Sequence, residues 1–269
     1  MKPILLLLAV LLPMTAGVLL CLIKLKTDRA VHAVTAAATL AASALTWALI
    51  LRCGDDSFTL IHFTDRLAVM FRFDGLGRFF AGILATLWPI TVLYAFSYME
   101  HEQRRRTFFG FFILSFGVAL GISMAGNLFT MYIFYELLTL ATTPLVIHTL
   151  TKKAVNAAKT YLVFSIGGAA FAFAAMIFLI SNGASGEFRL GGLLEQHPYA
   201  NGNITLIFYL LGFLGFGVKA AIFPLHVWLP RASVAPTPVS ERALTAKQPK
   251  VTGILRPNPS RSVRYSRPV

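Results

Sequence analysis

Two ionisable residues stand inside long apolar stretches of the chain. Glu136 lies midway along FTMYIFYELLTLATTPLVIH, nine residues after Asn127, and Lys219 lies in LGFLGFGVKAAIFPLHVWLP. A charge at the centre of a bilayer costs about 2.5–3.5 kcal/mol on insertion scales, so such residues are functional candidates by default. Burial opposes the charged form of each, and mutual approach restores both charges. A group poised between two charge states is what a proton relay requires. Gly212, Gly215 and Gly217 precede Lys219 and Pro224 follows it. Proline has no N–H, so the Ala220 carbonyl loses its helical partner one residue after the lysine. Backbone broken at membrane depth is tolerated where it lines a polar cavity, and transporters place their sites there. On a continuous helix His226, seven residues on, would share the face of Lys219 about 10 Å along the axis, within reach of a bridging water.

Plainer readings stand beside each of these. Glu136 could hydrogen-bond between helices, Lys219 could snorkel, and His226 could be an interfacial residue near a helix end. Lys159, a lesser relay candidate at the start of a sixth apolar run, equally suits a positive anchor at the membrane surface. His148 and Lys152 read as boundary residues. There is no Walker A, GxGxxG or nucleophile-elbow pattern, and no CxxC or haem-attachment motif, so no cofactor or metal is expected.

The elements that must carry these residues follow from composition. Hydrophobic residues make up 57% of the 269 and charged residues 13%, with a mean hydropathy of +0.70. A soluble domain carries about 25% charge, so a soluble enzyme, a disordered chain and a disulfide scaffold are excluded. The expected fold is an all-α integral membrane bundle. A span needs about 20 apolar residues, and runs near 3–23, 31–51, 76–98, 107–125, 127–149, 159–180 and 203–229 qualify. The first is too long for a signal peptide's apolar core and is read as a retained helix. Residues 57–73, rich in β-formers with loose alternation, suggest a small hairpin. Asp74 should cap the third helix, and Gly126-Asn127 should turn the fourth into the fifth.

The net charge is +13. Residues 241–269 carry seven Lys+Arg against one acid, with four prolines and no apolar periodicity, and read as a disordered basic tail. The other cations sit mostly in short loops: Lys24, Lys26 and Arg29, then Arg104 to Arg106, then Lys152, Lys153 and Lys159. That density places those loops in the cytoplasm and the amino terminus outside, in a multi-pass protein of the cell inner membrane. No basic patch interleaved with aromatics marks a nucleic-acid partner. Cys21 and Cys53 fall at opposite faces, about 30 Å apart, too far to bridge.

FTMYIFYELLTLATTPLVIH, NAAKTYLVFSIGG and GVKAAIFPLHVWLPRASVAPTPVS resemble the proton-translocating, antiporter-like membrane subunits. That family includes subunits of respiratory complex I, membrane-bound hydrogenases and multisubunit Na⁺/H⁺ antiporters. The resemblance covers about residues 60–240 and is nearest in shade to the branch holding the D-type antiporter and hydrogenase members. It implies that Glu136 matches the family's helix-five glutamate and Lys219 its helix-seven lysine, which pass charge-state changes between subunits. It also implies a discontinuous seventh helix. After Ser240 the family continues with a further lysine-bearing helix and a second inverted repeat, and this sequence turns to polar coil. The sequence therefore reads as residues 1–56 with two spans, 57–240 as an incomplete first repeat, and 241–269 as a tail of frameshifted character on a truncated form.

The expected function is a non-catalytic membrane subunit in proton or cation/proton translocation, with Glu136, Lys219, Lys159 and His226 as proton-transfer candidates. Its expected partners are other membrane subunits, the lipid bilayer, protons and possible Na⁺. Two rival functions are a Na⁺/H⁺ antiporter module without a redox partner and a non-transporting assembly fragment.

Overall fold

Each apolar run becomes a helix because a backbone in lipid must satisfy its own N–H and C=O groups. The computed structural model describes residues 2–23, 25, 27–52, 56–64, 67–102, 104–182, 186–188 and 202–232. Its seven long helices are α1 (Lys2–Leu22), α2 (Asp28–Arg52), α3 (Gly75–Tyr98), α4 (Arg105–Ser123), α5 (Leu128–Val146), α6 (Lys152–Ser181) and α7 (Gly202–Lys219). All seven are long and apolar enough to span a bilayer, and the fold is an all-α membrane bundle. A 3₁₀ turn, Leu225–Val227, and a short helix α8, Trp228–Ala232, follow the end of α7. The proposed tail and Cys53 lie outside the described residues; Cys21 is a free thiol.

Local chemistry sets the helix starts. Asp74 accepts from the Gly77 N–H at 2.8 Å and caps α3. Asn127 does the same for α5 through Thr130 N–H at 2.8 Å. Thr151 caps α6 through Ala154 N–H at 3.2 Å. That last cap starts α6 at Lys152 rather than near 159, because Lys152 and Lys153 lower the hydropathy of a turn that is nonetheless helical.

Two helix pairs meet at backbone distance. A Cβ placed on Gly17 of α1 would lie 2.5 Å from the Gly110 carbonyl of α4, and one on Gly117 would lie 2.7 Å from the Val10 carbonyl. On α7, a Cβ at Gly215 would lie 2.5 Å from Ala172 N and 2.6 Å from Gly168 O of α6. Small residues permit such approach where lipid supplies no hydrophobic drive between helices. Phe71, Phe116 and Phe134 fill the core between the α1–α4 layer and the hairpin end.

The hairpin pairs β1 (Asp56–Thr64) with β2 (Leu67–Phe73), antiparallel. Its second strand is tied down by the α4–α5 turn. Arg72 N–H donates to Met124 O and Gly126 N–H to Met70 O, each at 2.8 Å. The Asn127 amide donates to Ala68 O at 2.7 Å, and Met70 N–H donates to Thr130 Oγ1 at 2.8 Å. The same turn receives the segment after α6, with Leu128 N–H donating to Gly186 O at 2.8 Å and Phe188 N–H to Gly126 O at 3.3 Å. Arg72 closes the assembly through Phe188 O at 2.6 Å and the Glu187 carboxylate at 3.5 Å. Because both ionic partners are partly exposed, that closure contributes about 1 kcal/mol. Arg72→Ala is therefore expected to raise amide exchange of residues 186–188 roughly fivefold, read by mass spectrometry, with α4 and α5 unchanged.

Candidate functional site

α7 stops at Lys219, the last residue of the helix rather than the middle of a longer one. The stop is a Schellman closure: Ile222 N–H donates to Gly217 O at 3.1 Å and Ala221 N–H to Val218 O at 3.0 Å. Ala221 sits at the left-handed position of that motif, with φ 52°. Glycine usually occupies it, since a Cβ there costs about 1–2 kcal/mol. The helix end is thus held against local preference by its surroundings. Gly217 provides one of them: a Cβ on it would run into the Ile222 side chain that folds back over it. Trp228 provides another, since its indole N–H donates to Val218 O at 2.8 Å and folds α8 back onto the end of α7.

The break lies inside the span. Lys219 Nζ donates to the Tyr161 hydroxyl at 2.9 Å, and Tyr161 is nine residues beyond Lys152, the first residue of α6. At 1.5 Å rise, that contact is about 14 Å along α6 from its start. The ammonium stands 5.4 Å from the Tyr135 ring centroid and 5.1 Å from that of Tyr161. Cation–π attraction to such faces contributes about 0.5–2 kcal/mol. The position is also the negative end of the α7 dipole, which favours a cation.

α5 supplies the opposite wall. The Tyr135 hydroxyl donates to Gly215 O of α7 at 3.0 Å, and its ring meets Phe216 edge-on at 5.4 Å. Its neighbour Glu136 is half-buried, and its Oε1 is buried with no hydrogen-bond partner. Lys219 is the positive charge that bears on this carboxylate, although the two do not close an ion pair. The Glu136 charge in turn bears on Tyr132 and Tyr135. The Tyr161 hydroxyl lies 2.7 Å from Thr142 Oγ1, and Thr142 donates to Leu138 O at 2.6 Å. Chemically this is an acid and a base in one apolar setting, joined by hydroxyl groups.

Glu136 and Lys219 are brought into one neighbourhood, while Lys159 and His226 stand apart. Lys159 is exposed on α6 and His226 is exposed in the 3₁₀ turn, stacked on Phe223 at 5.7 Å. The shared face of Lys219 and His226 required a continuous helix, and α7 ends before His226. Tyr135, Tyr161, Thr142 and Trp228 belong to the site and were not singled out in the sequence. Their one sequence signal is hydroxyl and indole groups in apolar helices near Glu136 and Lys219. Among the described residues no cluster of His, Cys, Asp and Glu has metal-binding geometry.

Residues 125–255 match the family described as NADH:quinone oxidoreductase/Mrp antiporter, transmembrane. The chain is 30% identical over 171 residues to a Na⁺/H⁺ antiporter subunit of Alkalihalophilus pseudofirmus, covering 62% of this chain and 21% of that protein. It is 30% identical over 166 residues to hydrogenase-4 component B of Escherichia coli K12, covering 61% and 24%. Among solved structures, a chain of respiratory complex I from Thermus thermophilus superposes with a TM-score of 0.68 at 25% identity, covering 85% of this chain and 46% of that one. The matches thus span less than a quarter of those two relatives' lengths and about half of the solved chain.

Proposed function

We propose, from the premise that residues 125–255 belong to the NADH:quinone oxidoreductase/Mrp antiporter transmembrane family, that this chain takes part in proton or cation/proton translocation within a membrane complex. Glu136 and Lys219 are its charge-coupling pair. The observation that carries this reading is the placement of Lys219. A cation is held at the broken end of α7, inside the span, between two tyrosine rings and within electrostatic reach of a buried carboxylate oxygen that has no hydrogen bond. A purely structural lysine gains most from a carboxylate partner or from reaching the membrane surface. This one does neither. Lys159 and His226 are secondary relay candidates whose exposed positions suit proton entry or exit better than the transfer step itself.

The chain would sit in the inner membrane with its amino terminus outside, because the denser basic loops lie at the end opposite the hairpin. Its partners would be other membrane subunits. One relative is named as a Na⁺/H⁺ antiporter subunit and another as a hydrogenase component, so the driving reaction is either a sodium gradient or redox chemistry on a neighbouring subunit.

The test uses inverted membrane vesicles containing the complex that carries this chain, with internal acidification followed by a pH-sensitive dye. Acidification driven by an electron donor assigns the redox-coupled role. A sodium-dependent pH change without donor assigns antiport. In either assay Lys219→Ala is expected to lower the rate at least tenfold at an unchanged level of assembled chain. A Lys219→Ala rate equal to wild type overturns the reading and leaves a non-transporting structural subunit.

A further inference from the structure

A charged lysine can only donate hydrogen bonds, and this fixes the direction of everything beyond it. Lys219 donates to Tyr161 at 2.9 Å. The Tyr161 hydroxyl, having accepted from Lys219, has its own proton free for Thr142 Oγ1 at 2.7 Å. Thr142 must then donate onward, and it does so to Leu138 O at 2.6 Å. The result is a one-way row of donors from α7 through α6 to α5 that ends on a helix carbonyl. Such rows strengthen cooperatively in a low-dielectric setting.

We propose that Tyr161 is a positioning residue for Lys219, and that its hydroxyl reports the charge of Lys219 to α5 through Thr142. The proposal rests on the reading of Lys219 as a charge-carrying residue. When Lys219 is charged, Tyr161 accepts from it and donates to Thr142. A neutral amine has a lone pair, so Tyr161 can turn its O–H toward Nζ and leave Thr142 without that donor. The turn rotates one hydroxyl and transfers no proton between atoms. Thr142 lies six residues after Glu136 on the same helix, so a change in the charge of Lys219 alters hydrogen bonding on the helix that carries the carboxylate. Tyr135 and Glu136 of α5 and Tyr161 of α6 are the titratable groups that face the ammonium.

The geometry also explains why α8 folds back. The Trp228 ring packs on that of Tyr161 at 5.2 Å while its N–H holds Val218 O at 2.8 Å. The broken end of α7 and the hydroxyl that Lys219 needs are thereby fixed by one side chain. Tyr161 itself is 4% exposed, so no other solvent-side acceptor competes for it.

The competing role for Tyr161 is packing alone, and Tyr161→Phe separates the two because it keeps the ring against Trp228 and Lys219. In the vesicle assay, with rates normalised to assembled chain, Tyr161→Phe and Thr142→Val are each expected to slow transport about tenfold. Thr142→Ser, which restores the hydroxyl, is expected to match wild type. The Tyr161→Phe/Thr142→Val double variant is expected to be no slower than the worse single one, since both cut the same row. If Tyr161→Phe alters the chain's level, the Val and Ser variants at Thr142 decide alone. Tyr161→Phe within twofold of wild type, a multiplicative double variant, or Thr142→Ser as slow as Thr142→Val overturns the proposal. Loss of transport in Lys219→Ala together with a silent Tyr161→Phe removes only the role of Tyr161. Wild-type transport in Lys219→Ala removes the underlying reading as well.

Discussion

Membranes carrying Glu136→Gln are expected to hold the assembled chain at or above the wild-type level and to transport at least tenfold more slowly. The two effects have opposite signs for one physical reason. Glu136 keeps a carboxylate oxygen buried without a hydrogen bond, and its nearest positive influence, Lys219, is engaged by Tyr161 instead of forming an ion pair. An ionised group in that situation opposes folding and insertion. Glutamine has nearly the same shape and cannot be ionised, so stability should not fall. The same substitution removes the charge to which Lys219 responds, and a loss of about 1.4 kcal/mol in that coupling already slows the limiting step tenfold. A gain of stability with a loss of activity is the usual mark of a residue retained for function. Thermal unfolding of the detergent-purified chain, measured beside vesicle transport, reads both. If stability and transport fall together, Glu136 is an interhelical structural residue.

Gly215→Leu is expected to have the largest effect on the fold. The added side chain would begin 2.5 Å from Ala172 N and 2.6 Å from Gly168 O, both backbone atoms of α6 that cannot turn aside. α7 must therefore move away from α6. The Gly215 carbonyl then leaves the Tyr135 hydroxyl that now binds it at 3.0 Å, and Lys219 loses its place between two rings. Overpacking of this kind costs about 1–3 kcal/mol or more, and a clash with backbone belongs at the upper end. Gly167 provides the matched control, since a Cβ there meets nothing within 4 Å. Gly167→Leu should leave the unfolding temperature unchanged or slightly higher, because leucine is the better helix former. Equal sensitivity of the two positions would show that α6 and α7 are not in backbone contact.

Several features of the fold and site were readable in the sequence because they depend on neighbours in the chain. The number of spans follows from hydropathy over about 20 residues. The Asp74 and Asn127 caps need only the three residues that follow each of them. The hairpin is an alternation of residue types over a short stretch. Glu136 and Lys219 stand out because a charge in an apolar run is costly wherever the run ends up. The break after Lys219 was foreshadowed by its glycines and proline, yet its position was not. Hydropathy is nearly the same on either side of Ala221, so residues 203–229 read as one run and His226 as a neighbour of Lys219.

The neighbours of Lys219 were decided by the tertiary structure alone. Tyr161 is 58 residues from Lys219 in the chain, and Tyr135 is 80 from Gly215. Whether those groups meet depends on how closely α5, α6 and α7 approach, and that is set by Gly168 facing Gly215 across the helix pair. A linear sequence shows both glycines but not that they oppose one another. The chain's composition made it a membrane bundle and marked its two costly charges, because transfer to lipid is a property of each residue. Which hydroxyl holds the lysine, and which carboxylate is left unpaired, came only from packing, because a hydrogen bond exists only when two distant backbones fix its ends within about 3 Å.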